Sequence, residues 1–131
     1  MIWINNKTIL IKEKKKTRKK IVLGPIKFAN DFLSRFQGLM FKKDLEYILV
    51  IKTANSNVKI YSSIHTFFMR INIDVIFLNE EKKVIEIAHI SPWKFYNPKN
   101  KAHYILELKE GSIKKYKIKI GDKLDFVCEF I

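Results

Sequence analysis

The run Ile73-Asp74-Val75-Ile76-Phe77-Leu78, followed by Asn79-Glu80-Glu81-Lys82 and then by Lys83 to Ile90, reads as two strands joined by a tight turn. Side chains alternate across a strand, so Ile73, Val75 and Phe77 share one face and Asp74, Ile76 and Leu78 the other. Both faces are apolar, which predicts a strand with core on each side. Working outward, Tyr104 to Leu108 and Lys123 to Phe130 repeat the Ile/Val/Leu/Phe-rich pattern downstream, and Tyr47 to Lys52 repeats it upstream. Near the start, Ile2 to Ile4 and Thr8 to Lys12 flank Asn5-Asn6, which reads as a hairpin turn because Asn tolerates positive φ. Two short helices interrupt the strands. Asn30 is placed to cap Asp31 to Gln37, with Phe32 and Phe36 on one face and Gly38 as the stop. Ser112 is placed to cap a turn through Ile113 and Tyr116 that ends near Lys117. Residues 91–102, with Pro92 and Pro98, form the longest loop. The expected architecture is mainly β: an antiparallel β-sandwich or partly open, jelly-roll-like barrel with one or two short helices.

The chain has 131 residues, 47% of them apolar and 13% aromatic, which is one folded domain and not a disordered tract. Residues 1–20 read as a basic N-terminal hairpin or extension and residues 21–131 as a single β-rich domain. A domain of this size builds its core without staples, and the single Cys128 fits a reducing compartment. No segment approaches the roughly 20 apolar residues of a membrane span. The opening Met1-Ile2-Trp3-Ile4-Asn5-Asn6-Lys7 lacks the basic and apolar regions of a secretory signal. These readings predict a cytoplasmic protein with no membrane partner.

Lys plus Arg number 26 against 13 acidic residues, a formal charge of +13. Such an excess raises the question of nucleic acid. Only Arg18, Arg35 and Arg70 carry the guanidinium fork that phosphates and base edges favour; the other basic residues are Lys. Residues 12–20 hold seven basic residues and one acid, and Lys14, Lys15, Lys16, Arg18, Lys19 and Lys20 are the candidate contacts for a weak, sequence-tolerant hold on RNA or DNA, with Lys114, Lys115, Lys117 and Lys119 as a second group. A solvated, charged arm is the plainer reading of the same run.

Ala29, Phe32, Arg35 and Gly38-Leu39-Met40-Phe41 are followed by Ile64-His65-Thr66-Phe67-Phe68-Met69-Arg70 and the Ile73–Leu78 strand. Tyr104-Ile105-Leu106-Glu107-Leu108, Gly111 and Gly121-Asp122-Lys123-Leu124 complete the series. In this order and spacing the segments resemble the prokaryotic family catalogued as domain of unknown function 192, over about residues 21 to 126. The resemblance implies a jelly-roll-like β fold and carries no reaction with it. Asn72 stands where many relatives have Pro, and the lysine-rich segment before residue 21 lies outside the pattern.

Asp74 is the one carboxylate in an apolar strand and requires a partner, because an unpaired buried charge costs several kcal/mol. Arg35, Arg70 and His65 are the candidates. The pairing is either a structural salt bridge or a polar anchor at the mouth of a pocket. His65, Phe67 and Met69 alternate and would share a face in an extended segment, the make-up of a small-ligand site or of an ordinary core rim. Trp93, Phe95 and Tyr96 either cap the domain or offer a stacking platform. Glu107 is either an exposed acid paired with Lys or half of a two-carboxylate pair with Asp74. His65, His89 and His103 match no compact metal motif, and neither a metal nor a cofactor is expected. Cys128 reads as a small hydrophobe, and no nucleophile elbow or phosphate-cradling glycine loop is present. The favoured expectation is a non-catalytic small-ligand binding module with Arg35, His65, Phe67, Met69, Asp74, Trp93 and Glu107 around its pocket. Nucleic-acid binding through the lysines and a metal-dependent or two-carboxylate enzyme are the alternatives.

Overall fold

The computed structural model of the chain describes residues 6–13, 20–29, 45, 47–52, 64–66 and 69–130. Among the described residues nine strands follow one another: β1 (Asn6–Glu13), β2 (Lys20–Ala29), β3 (Ile48–Lys52), β4 (Ile64–His65), β5 (Ile73–Leu78), β6 (Val84–Ile90), β7 (Phe95–Tyr96), β8 (Tyr104–Lys109) and β9 (Leu124–Phe130). A one-turn helix, α1 (Ser112–Lys115), lies between the last two. Seven strands form one sheet in the order β6-β5-β8-β3-β2-β1-β9, and β4 pairs with β7 apart from it. Neighbours run antiparallel except β2 and β3, which are parallel. The sheet curls into a half-barrel, as the mainly β, partly open barrel expectation requires. Its outer strands meet at one end, where Lys83 bridges to Lys123. Three backbone bonds of 2.7–3.0 Å, Val84 N–H to Asp122 O, Gly121 N–H to Val84 O and Leu124 N–H to Lys82 O, stitch that seam and shield part of two edges from further pairing.

Two cores follow from the alternation. Val50, Ile76, Leu78, Leu106 and Leu108 pack inside the curl with Val84 and Leu124 from the two outer strands. Leu49, Ile51, Ile73, Val75, Phe77 and Ile105 form the opposite face, covered by Leu45, Ile64, Met69 and Ala102. β5 lies between β6 and β8 with a core on each side, and all six of its residues are buried. The two-sided apolar pattern read from the sequence is thereby realised.

The turn after β5 closes as expected: Asn79 N–H donates to Lys83 O and Lys82 N–H to Asn79 O, both at 3.0 Å. The Asn79 side chain accepts from the backbone of Glu81 and Lys83, the Asx geometry that suits Asn to a turn. The strand at 20–29 was not legible, because Gly24-Pro25 interrupts it. β2 accommodates the pair where its register with β1 shifts between Leu10 and Ile11, with Gly24 at φ 147, a conformation open to glycine. The second helix is corrected at its cap. Gly111, at φ 89, occupies the cap position, and Ser112 Oγ donates instead to Lys109 O at 2.6 Å. Lys12 completes this end: its Nζ donates to Tyr116 O and Lys117 O and pairs with Asp122 at 3.2 Å. One lysine of the basic 12–20 run thus serves the fold. The Asn30-capped helix and residues 1–5 of the first hairpin lie outside the described residues.

Candidate functional site

Asp74 and His89 face one another across the β5/β6 pair. Asp74 is 4% exposed, and both of its carboxylate oxygens are used. Oδ1 lies 3.0 Å from His89 Nδ1, and Oδ2 accepts the Ile113 backbone N–H at 2.9 Å. A carboxylate only accepts, so His89 donates through Nδ1. Its Nε2 then lies on the side of Glu110, 3.7 Å from Oε1, and Asn72 Nδ2 approaches both Glu110 oxygens at 3.4 Å. The His89 side chain is half exposed. Around it a cleft of about 460 Å³ is walled by Ile87, Ala88 and Ile113, with Lys114 at the rim. A buried carboxylate that orients a half-exposed imidazole against apolar walls is a way of presenting one fixed polar group to a ligand.

This arrangement revises the sequence-based partners of Asp74. His89 and the first turn of α1 hold it; Arg70 is exposed, and Arg35 lies outside the described residues. It also separates residues grouped together in the sequence reading. Glu107 sits opposite Leu49 and Val75 in the ladder, while Asp74 sits opposite Leu108. The two carboxylates therefore leave the sheet on opposite faces. A Glu107–Asp74 acid–base pair is incompatible with that register, and the exposed-acid reading of Glu107 gives way as well, since it is fully buried. Met69 is buried in the outer core with Val75 and Phe77, on the side away from Asp74. His65 lies in β4 opposite Phe95. Phe67 lies outside the described residues, as do Lys14, Lys15, Lys16, Arg18 and Lys19, and Lys20 begins β2. Among the described residues, no three His, Cys, Asp or Glu side chains are placed to hold a metal ion.

The loop carrying Trp93 is tied down by Thr66, a residue that sequence reasoning passed over. Thr66 is fully buried; its hydroxyl donates to Ser91 O at 2.6 Å and accepts the Lys94 N–H at 2.8 Å. Its backbone exchanges further bonds with Trp93 and Lys94. Thr66→Val keeps the shape and removes the hydroxyl, leaving two backbone groups without their partner. The expected loss is about 1–3 kcal/mol in chemical denaturation, with faster amide exchange at residues 91–96.

Glu86 anchors the far side of the loop, accepting from the Tyr96 hydroxyl and, at 2.9 Å, from the Lys99 N–H. Burial, then the Glu86 hydrogen bond and charge, push Tyr96 up from 10.0 to about 12. A group whose folded pKa is raised contributes stability that is complete below its unfolded pKa and is lost as pH rises through the folded one. Stability from Tyr96 is therefore expected to persist to about pH 10 and to fall away towards about pH 12. Denaturation at pH 9 and pH 11 is expected to show this loss in the wild type and a smaller one in Tyr96→Phe.

Fold and site together define a small, mostly β protein: one curled seven-stranded sheet with a histidine–carboxylate cleft at the β5–β6–α1 end. The chain belongs to the family described as Uncharacterized ACR, COG1430, the domain of unknown function 192, whose model matches residues 10–126. The match begins within β1, upstream of the residue-21 start read from the motifs. A UPF0127 protein of Thermococcus sibiricus is 40% identical over 114 residues, covering 87% of this chain and 73% of the relative. The UPF0127 protein PF1050 of Pyrococcus furiosus is 40% identical over 110 residues, covering 84% and 93%. Two solved structures share the fold. A Sinorhizobium meliloti protein provisionally described as a transcription regulator superposes with a TM-score of 0.76 at 16% identity, covering 96% of this chain and 97% of that one. A protein of unknown function from Novosphingobium aromaticivorans superposes with a TM-score of 0.70 at 20% identity, covering 89% and 83%. No helix among the described residues is long and apolar enough to cross a membrane.

Proposed function

We propose that the protein is a non-catalytic binding module for a small, partly apolar molecule that carries an amine or hydroxyl donor, held in the Asp74–His89–Glu110 cleft. The observation that carries this reading is the fixed imidazole. With Nδ1 committed to the buried Asp74 carboxylate, the ring is fixed with Nε2 beside Glu110, whose carboxylate is the acceptor that the cleft offers to a ligand's donor. Ile87, Ala88 and Ile113 supply the apolar walls. Asp74 has both oxygens engaged, so its role is to position His89. This site retains Asp74 from the sequence-based pocket and replaces its other members. The single cysteine is in keeping with a cytoplasmic setting.

The reading is tested by thermal and calorimetric titration against primary amines, polyols and monocarboxylates. A ligand at one hundred times its Kd stabilises by about 2.7 kcal/mol. Amines or polyols are expected to give the shift, and His89→Ala and Glu110→Ala to remove it. A shift that survives both substitutions, or one given by monocarboxylates alone, rejects this cleft as the site.

A further inference from the structure

We propose that the segment around β7 is a stacking surface for single-stranded nucleic acid, with Trp93 and Phe95 as the base-stacking rings and Lys94 and Lys99 as the phosphate contacts. Trp93 is 59% exposed and Phe95 61% exposed, an unusual disposition for two large aromatics two residues apart. A mobile loop is a poor account of it. Thr66 binds the backbone at Ser91, Trp93 and Lys94, Phe95 and Tyr96 are paired with β4, and Glu86 holds Tyr96 and Lys99. Tyr96 turns inward and stacks on Phe77, so alternation turns its neighbour Phe95 outward. Trp93 adopts φ 62, a conformation disfavoured for a bulky residue and found where the surroundings enforce it, often at functional positions.

Charge selects the occupant. No Asp or Glu occurs between Glu86 and Glu107, whereas Lys94, Lys99 and Lys101 do, and all three are exposed. Glu86, the nearest acid in sequence before the loop, has its carboxylate occupied by Tyr96 and the Lys99 N–H. A neutral sugar would use the rings and make no use of the charge on Lys94 and Lys99. A single strand uses both, because every base has a π-face and every linkage a phosphate. The formal charge of +13 draws such a polyanion to the molecule. Lys rather than Arg beside the rings predicts sequence-tolerant binding.

The experiment is fluorescence anisotropy of labelled single-stranded DNA and RNA of about twelve nucleotides, a length within the range one such surface covers, with the full chain at two salt concentrations. Trp93→Gly removes the ring while relieving the positive φ, and its melting temperature is measured beside that of the wild type to establish that it folds. Trp93→Gly and Phe95→Ala are each expected to weaken binding roughly 5- to 100-fold. Lys94→Ala with Lys99→Ala is expected to flatten the salt dependence by about 0.7 in log–log slope for each phosphate no longer neutralised. His89→Ala, in the separate cleft, is expected to leave binding unchanged. Wild-type affinity in folded Trp93→Gly and Phe95→Ala overturns the proposal, as does full competition by a neutral oligosaccharide or loss of binding only when the lysines of residues 14–20 are neutralised.

Discussion

Phe77→Ala is expected to destabilise the protein by about 3–5 kcal/mol, the usual cost of truncating a fully buried Phe. Phe77 has no exposed surface and sits on β5, the strand with a core on each face. Its ring stacks on Tyr96 at 5.6 Å between centroids and 28° between planes. The substitution therefore removes a buried ring from the outer core and takes away the support of Tyr96, whose hydroxyl donates to Glu86. A typical domain has about 5–15 kcal/mol in total, so the variant should approach unfolding near physiological temperature. Urea denaturation is the direct measurement, and Phe77→Leu, which leaves a smaller cavity, should recover much of the loss. A cost below about 1 kcal/mol would mean that the outer core collapses around the gap and does not hold the loop.

Asp74→Ala is expected to cost about 2–3 kcal/mol, and the geometry sets that figure below the value for a fully buried ion pair. His89 is half exposed, so it is rehydrated when its partner is removed. The Ile113 N–H, by contrast, loses the acceptor that ties α1 to β5. Most of the loss should lie in that second bond. The prediction is thus asymmetric: His89→Ala alone should cost under about 1 kcal/mol, and the double-mutant coupling between Asp74 and His89 should fall at about 0.5–1.5 kcal/mol. Asp74→Asn keeps an acceptor for Ile113 and should be milder than Asp74→Ala. A coupling near zero would show that Asp74 serves α1 and leaves His89 unpositioned, which would also weaken the proposed cleft. A coupling above about 3 kcal/mol would show a pair far less hydrated than the exposure of His89 implies.

The residues that were legible and those that were not differ for a physical reason. Alternation is local, so Ile73 to Leu78 revealed a strand with two apolar faces, and the same rule placed Asp74 on the face away from Val75. The turn at Asn79 was legible because its side chain makes the turn's own hydrogen bonds. What opposes Asp74 is not local. A four-residue loop with uninterrupted pairing would set Leu78 opposite Lys83 and Asp74 opposite Ile87. The observed ladder pairs Leu78 with Val84, shifts before Phe77, and so delivers His89. Two residues of displacement keep the face and change the partner.

Sequence alone therefore determined the β class, the main strands, the turn at residues 79–82, the need of Asp74 for a partner and the family, because period, turn chemistry and ordered motifs are properties of consecutive residues. Tertiary structure decided that His89 and the α1 backbone supply that partner, that Glu107 lies across the sheet from it, and that Thr66 and Glu86 hold Trp93 and Phe95 in place. Those outcomes depend on strand register, on a bulge and on which chain segments cover each face of the sheet. They are set by the packing of residues far apart in the chain, where local pattern carries no signal.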